Sequence, residues 1–389
     1  VADFWEKDLV CRDGVYHVVG DGMHERTDGN IRDNGVPENP VNTLGYLKTF
    51  FTWMPRISEA LDLDEKKREK WLEIAENLAP YPKGTIREIQ ENPTLWKEVD
   101  VKLEDLLPEE MLDKEIYYDE GIGGKWSFHF PGNVMQIYPG NAIGLGSAPE
   151  ELEVARNTVQ IHALVENALG ELEYRKVLEE AEFADKDNAN NLLFNSNGEL
   201  ENGEAYSNGM ESGGVKNTHF YKAGAFNASN LSCLFFTAAV RVGYDPKIIW
   251  KEMRDMILNR GIPNGFLKEN PHGIEQLNTI PDAIQEMMLQ SCEGMIRIFP
   301  VWPRAEHPNA FFRNFRAWGG LEVSAALKDG EVERVSILSH KGHPCRVENP
   351  WPGKSVKVSY EYGRPDEVHF GEYLNIELYK EEHAELFRI

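Results

Sequence analysis

Residues 319–338 read GGLEVSAALKDGEVERVSIL, and the period of their apolar positions decides the fold of the closing part of the chain. Leu321, Val323, Ala325 and Leu327 alternate with polar residues, which is the period of a half-buried strand. Asp329-Gly330 is a strong hairpin turn, and Val332, Val335 and Ile337 continue on the return strand. Val356 to Tyr360 and the segment from Tyr373 to Leu378 add further strands. The expectation is a small antiparallel β-sandwich over residues 318–389.

Upstream of Gly319 the spacing changes from two to between three and four. Leu44, Leu47, Phe51, Met54, Ile57 and Leu61 make a helical stripe over residues 43–62. A second helix is predicted from Asp64, as cap, to Leu78, with Pro80 and Pro82 stopping it. Pro149 suits the first turn of a helix over 149–169, with Glu150, Glu151 and Glu153 complementing its dipole. Further helices are expected at 172–182, 228–242, 246–259 and 280–291, with strands scarce before residue 320. Antiparallel helix pairs followed by a β domain predict a mainly α chain, an α-toroid over residues 1–317 whose mouth is ringed by long loops. The alternative, an α-solenoid, should show a fixed repeat, and none is visible.

Composition narrows the function classes. Across 389 residues the 41% hydrophobic and 27% charged content is that of a folded globular protein. A formal net charge of −24 repels phosphate backbones and anionic lipid, so neither nucleic acid nor a membrane is expected as partner. Neutral sugars suit it better, because nine Trp, 14 Tyr and 18 Phe offer flat apolar faces, although most such rings pack cores. Cys11, Cys233, Cys292 and Cys345 are far apart and lack metal-ligand spacing, so no metal or other cofactor is expected. The opening residues, Val-Ala-Asp-Phe-Trp-Glu-Lys-Asp-Leu, read as the middle of an amphipathic helix and predict further chain upstream.

Sugar cleavage needs two carboxyl groups, one to protonate the leaving oxygen and one to activate water or attack the sugar. Glu38 is held between Pro37 and, after Asn39, Pro40, which stiffen its backbone; on spacing alone it equally suits the dipole of the next helix. His24 and Glu25 lie in the loop before it. The stretch from His272 to Asp282 places Glu275 in a loop ahead of a helix, with Thr279 as cap and Pro281 in the first turn. Asn217 to Tyr221 offers a different chemistry, since His219 and Tyr221 could serve as base and acid of a polysaccharide lyase.

From Ile274 the chain reads IEQLNTIPDAIQEMMLQSCEGMIRIFPVWP, then AFFRNFRAWGGLEVSAALKDGEVERVSILSHKGHPCRVENPW. Both resemble the end of the helical domain and the start of the last domain in family 95 of the glycoside hydrolases, whose relatives include α-L-fucosidases and α-L-galactosidases. Ile137-Tyr138-Pro139-Gly140-Asn141 and Pro37-Glu38-Asn39 are looser matches in the same order. The resemblance implies an (α/α)6 toroid, its first helices lying upstream of residue 1, a preceding β-rich N-terminal domain, and hydrolysis of an α-linked sugar with inversion. It puts Glu38 at the general acid and Glu275 at an aspartate that helps activate water.

Two departures bear on the sugar. The family's Gly-Asn-Phe-Gly is replaced after Glu275 by Gln276-Leu277-Asn278-Thr279, and its paired histidines have no counterpart around Asn133, with Trp126 and His129 nearby. Asn39, Asn133, Asn278, Trp126 and His129 join His24 and Glu25 as candidate contacts to an oligosaccharide or polysaccharide. Fucose is then one option among several, galactose being another, and a non-catalytic carbohydrate-binding protein is a further reading.

Overall fold

A computed structural model describes residues 1–21, 38–91, 107–118, 132–161, 232–260, 263 and 274–389. The chain divides into two compact units, one of Val1–Val242 with Lys251–Ile280, the other of Gly243–Trp250 with Pro281–Ile389.

In the first unit, helix α1 (Ala2–Asp8) leads into a ribbon of β1 (Val10–Arg12) and β2 (Val15–His17). Helix α2 (Val41–Leu61) follows, and α3 (Arg68–Glu76) packs against it. A second ribbon pairs β3 (Lys83–Thr85) with β4 (Glu115–Tyr117), with α4 (Ile86–Glu91) and α5 (Glu109–Leu112) between them in sequence. Residues 149–161 form α6, and Ser232–Arg241 forms α7.

The first half of the predicted stripe on α2 is buried, whereas Met54 is only partly covered and Ile57 and Leu61 are exposed. Leu44, Leu47 and Phe51 are buried with Trp71 and Ile74 of α3 and with Tyr16 and Val18 beside β2. Each such side chain contributes roughly 1.5–3 kcal/mol on leaving water. The Trp71 indole N–H donates to Glu6 Oε1 at 2.7 Å and the Tyr16 hydroxyl to Glu73 Oε1 at 2.8 Å, so the polar tips of these rings remain bonded. Asp64 does not cap α3: its φ of 53° turns the chain and its side chain makes no cap bond.

In the second unit, six antiparallel strands order as β12-β11-β14-β9-β8-β7, and β10 pairs with β13 in a two-stranded ribbon. They are β7 (Ala310–Ala317), β8 (Leu321–Lys328), β9 (Glu331–Ser339), β10 (Cys345–Glu348), β11 (Val356–Tyr360), β12 (Glu367–His369), β13 (Tyr373–Ile376) and β14 (Glu382–Arg388). Between β4 and β7 in sequence lies the short ribbon of β5 (Leu289–Gln290) and β6 (Arg297–Ile298). The period of two is visible as burial: Val323, Val335, Ile337, Val358, Ala384 and Leu386 are inaccessible, and the residues between them face outward. Asp329 (φ 51°) and Gly330 (φ 81°) both take the positive φ that a tight hairpin between β8 and β9 requires.

Several expectations are corrected. The described residues form a mixture of helices, two-stranded ribbons and a six-stranded antiparallel sheet, not a mainly α (α/α)6 toroid. Apolar stripes specify that a segment is helical but not how helices are arranged, and strands of three residues are too short to show alternation. The sheet also begins before residue 318, since β7 contributes eight residues ahead of that boundary. Helix α8 is Pro246–Arg260, close to expectation, but α9 is Ile274–Met288 and begins six residues ahead of the predicted 280. Pro281 lies inside α9 rather than in its first turn. The apolar spacing Ile280, Ala283, Ile284, Met287 carries through the proline, and their burial outweighs the one backbone bond it removes. Residues 162–182 and 228–231 of the predicted helices lie outside the described residues.

Candidate functional site

Glu38 is fixed from both sides. It bridges to Val19 in antiparallel fashion, and the next residue, Asn39, adopts φ 52°. The Asn39 N–H donates to the Val18 carbonyl at 2.8 Å, its side-chain oxygen accepts from the Val18 N–H at 3.1 Å, and its amide nitrogen lies 3.1 Å from His17 Nδ1. Pro40 then caps α2. The Thr43 hydroxyl in its first turn donates to Asp21 Oδ2 at 2.6 Å. Asn39, a candidate sugar contact, is thus already engaged in holding this mount.

The Glu38 carboxylate is 37% exposed and meets Arg12 in two parallel hydrogen bonds, from Nη1 to Oε2 at 2.9 Å and from Nη2 to Oε1 at 3.0 Å. Charge-assisted and bidentate, such a pair stabilises the ionised carboxylate. The Arg12 bonds accordingly hold the Glu38 carboxyl below its usual range, against a smaller opposing effect of burial. A general acid needs the opposite, a carboxyl kept protonated near neutral pH. In this arrangement the Arg12 bonds favour the ionised form of Glu38, the charge state of a base or an electrostatic partner. Nothing local in the sequence signals Arg12, which is 26 residues away.

Glu275 falls in the first turn of α9, not in the loop expected, and its side chain lies outside the described residues. Asn278, one turn on, is exposed. Asn133 is buried in a tightly folded loop, where its amide nitrogen donates to the Tyr117 carbonyl at 3.3 Å. There it braces β4, and the neighbouring Gln136 amide donates to its carbonyl at 2.8 Å. His24, Glu25, Trp126, His129, His219 and Tyr221 lie outside the described residues. The structure therefore groups Glu38 with Asn39, Arg12 and His17, and gives Asn133 a structural role.

Elsewhere in this unit, a cavity of about 280 Å³ is lined by Leu44, Lys48, Tyr81, Tyr117, Glu150 and Glu151, among others. The Tyr81 and Tyr117 rings meet edge to face at 5.7 Å, and the buried Tyr81 hydroxyl has no hydrogen-bond partner among the described residues. Burial pushes both phenols well above their ordinary range. Among the described residues no group of three His, Cys, Asp or Glu side chains could hold a metal ion, and no helix is long and apolar enough to cross a membrane.

No protein-family model matches the chain, and no curated protein matches it.

Proposed function

We propose that this protein is a glycoside hydrolase that releases an α-linked sugar, such as fucose or galactose, from an oligo- or polysaccharide. Glu38 is one of its reacting carboxylates. The observation that carries the reading is the state of Glu38: accessible, rigidly mounted on backbone and held by a displaceable guanidinium. A sugar hydroxyl or leaving oxygen arriving at Glu38 competes with Arg12, and separation of the pair raises the carboxyl toward the protonated form that leaving-group departure needs. Glu275 is the proposed partner that orients water, on the strength of the sequence resemblance around Ile274. Inversion is the expected stereochemistry.

The bidentate Arg12–Glu38 pair favours a second reading, in which the protein binds carbohydrate without turning it over. Proton NMR of a reaction with an aryl α-L-fucoside and an aryl α-L-galactoside separates the two. The hydrolase reading expects a β-sugar as the first-formed product; an α-sugar would refute inversion, and saturable binding with no product from either glycoside would establish the second reading.

A further inference from the structure

The register of the first ribbon sets His17 on the same face as Arg12. Val10 stands opposite His17 and Arg12 opposite Val15, and alternate residues of a strand share a face. The guanidinium that holds Glu38 and the His17 ring therefore leave the ribbon on one side, while Tyr16 enters the core on the other. Glu38 reaches this ribbon through its antiparallel bridge to Val19, two residues beyond His17. The His17 side chain is only partly buried. A positive charge on its ring would add to that of Arg12 in favouring the ionised Glu38 carboxylate, which marks the two side chains as neighbours.

Hydrogen bonding around Asn39 fixes where the His17 ring carries its proton. The Val18 N–H can only donate, so the Asn39 atom that meets it at 3.1 Å is the carbonyl oxygen; turning the amide round would set two donors face to face. That leaves the Asn39 amide nitrogen, a donor with no lone pair to offer, 3.1 Å from His17 Nδ1. Nδ1 therefore accepts, and a neutral imidazole that accepts at Nδ1 carries its proton on Nε2. Among the described residues nothing bonds Nε2. Such a ring holds an oxygen by donating to it without giving up its proton. Beside it the Glu38 carboxylate can only accept, and each of its oxygens keeps a lone pair beyond its bond to Arg12. One donor next to one acceptor is the pattern that a hydroxyl, or two neighbouring hydroxyls, can meet from both sides.

We infer that His17 is a substrate-binding residue of this site, its Nε2–H donating to a sugar hydroxyl while Glu38 accepts from that hydroxyl or its neighbour, and that Asn39 is the positioning residue that locks the donor tautomer. The inference rests on the reading of Glu38 as part of a carbohydrate site. Long-range nitrogen-15 NMR of the histidine-labelled full chain tests it, with the His17 signals identified by their loss in His17→Gln. In the free protein Nδ1 should resonate as an unprotonated nitrogen and Nε2 as a protonated one. Asn39→Asp sets a carboxylate against Nδ1 and should move a proton onto it. Methyl α-L-fucoside or methyl α-L-galactoside should shift the Nε2 signal saturably. Calorimetry should show that sugar bound about fivefold or more weakly by His17→Phe, as expected for one lost hydrogen bond, but within about twofold of wild type by His17→Gln, which keeps a donor near the Nε2 position. Thermal melting confirms that each variant is folded. A proton on Nδ1 in the wild type, no Nε2 shift with either glycoside, or equal binding by wild type and His17→Phe would overturn the inference. Turnover of an aryl glycoside without a His17 shift would sink this inference and leave the hydrolase standing, whereas a His17 shift without turnover would do the reverse.

Discussion

Arg12 grips both oxygens of Glu38, and the grip sets the charge of the one candidate catalytic carboxylate whose side chain is described. The pair spans from β1 to the residue three before α2, so the same contact that tunes Glu38 ties the first ribbon to the second helix.

Removing the guanidinium should free the carboxyl. Because the folded value is depressed, the linked stability is present above the unfolded glutamate value near 4.3 and is lost as pH falls through the folded one. In Arg12→Ala the Glu38 titration, followed by carbon-13 NMR of the carboxyl, should move upward toward the ordinary range. An unmoved titration would show that Arg12 does not set it.

Glu275→Gln tests the second carboxylate. If the side chain at the start of α9 orients the attacking water, hydrolysis should fall by about 10²-fold or more, with little change in KM. Near-normal kcat would remove Glu275 from the mechanism.

Gly45 is where α2 meets the loop that contains Asn133. A Cβ there would lie 2.6 Å from the Gln136 Cα, so backbone must move to admit it. Gly45→Ala should cost roughly 1–3 kcal/mol in urea unfolding, despite alanine's better helix propensity. A stabilised variant would show that the loop gives way freely.

Ile337, inaccessible in the central strand β9, should be far more sensitive than Ser324 on the outward face of β8. Ile337→Ala should cost about 2–5 kcal/mol, and Ser324→Ala about 0.5 kcal/mol or less. Equal losses in chemical denaturation would contradict the assignment of faces.

Cys345 is buried, and burial pushes its thiol up to about 12, whereas Cys11 is exposed. At pH 8 iodoacetamide should label Cys11 rapidly and Cys345 only after denaturation, as read by peptide mass spectrometry. Comparable labelling of both in the native protein would show that β10 opens readily.

What the sequence disclosed depended on how local its cause was. Val323, Val335 and Ile337 declare their sheet through alternation, and Asp329-Gly330 declares its turn, because both signals are complete within a few residues. The stripe from Leu44 to Phe51 is equally self-contained. Strand β7 is hidden because its register slips between Phe312 and Phe315, which breaks the alternation. The loop expected ahead of Pro281 is helix because tertiary burial of Ala283 and Met287 overrides the proline's local preference. The arrangement of helices, read as a toroid, has no local signature at all.

The candidate site divides in the same way. Glu38 was visible through its flanking prolines, but Arg12, which determines its charge, is brought to it only by the fold. Asn133 reads as a polar loop residue and is instead consumed in bracing β4, a role that no neighbour in sequence reveals.

The most direct test of the proposed hydrolase is the initial rate of sugar release from aryl α-L-fucoside and aryl α-L-galactoside by the wild-type chain and by Glu38→Gln. Wild-type turnover of at least one glycoside, reduced by about 10²–10⁴-fold in Glu38→Gln with the fold intact, is the predicted result. Turnover that survives Glu38→Gln unchanged, or none by the wild type on either glycoside, would contradict it.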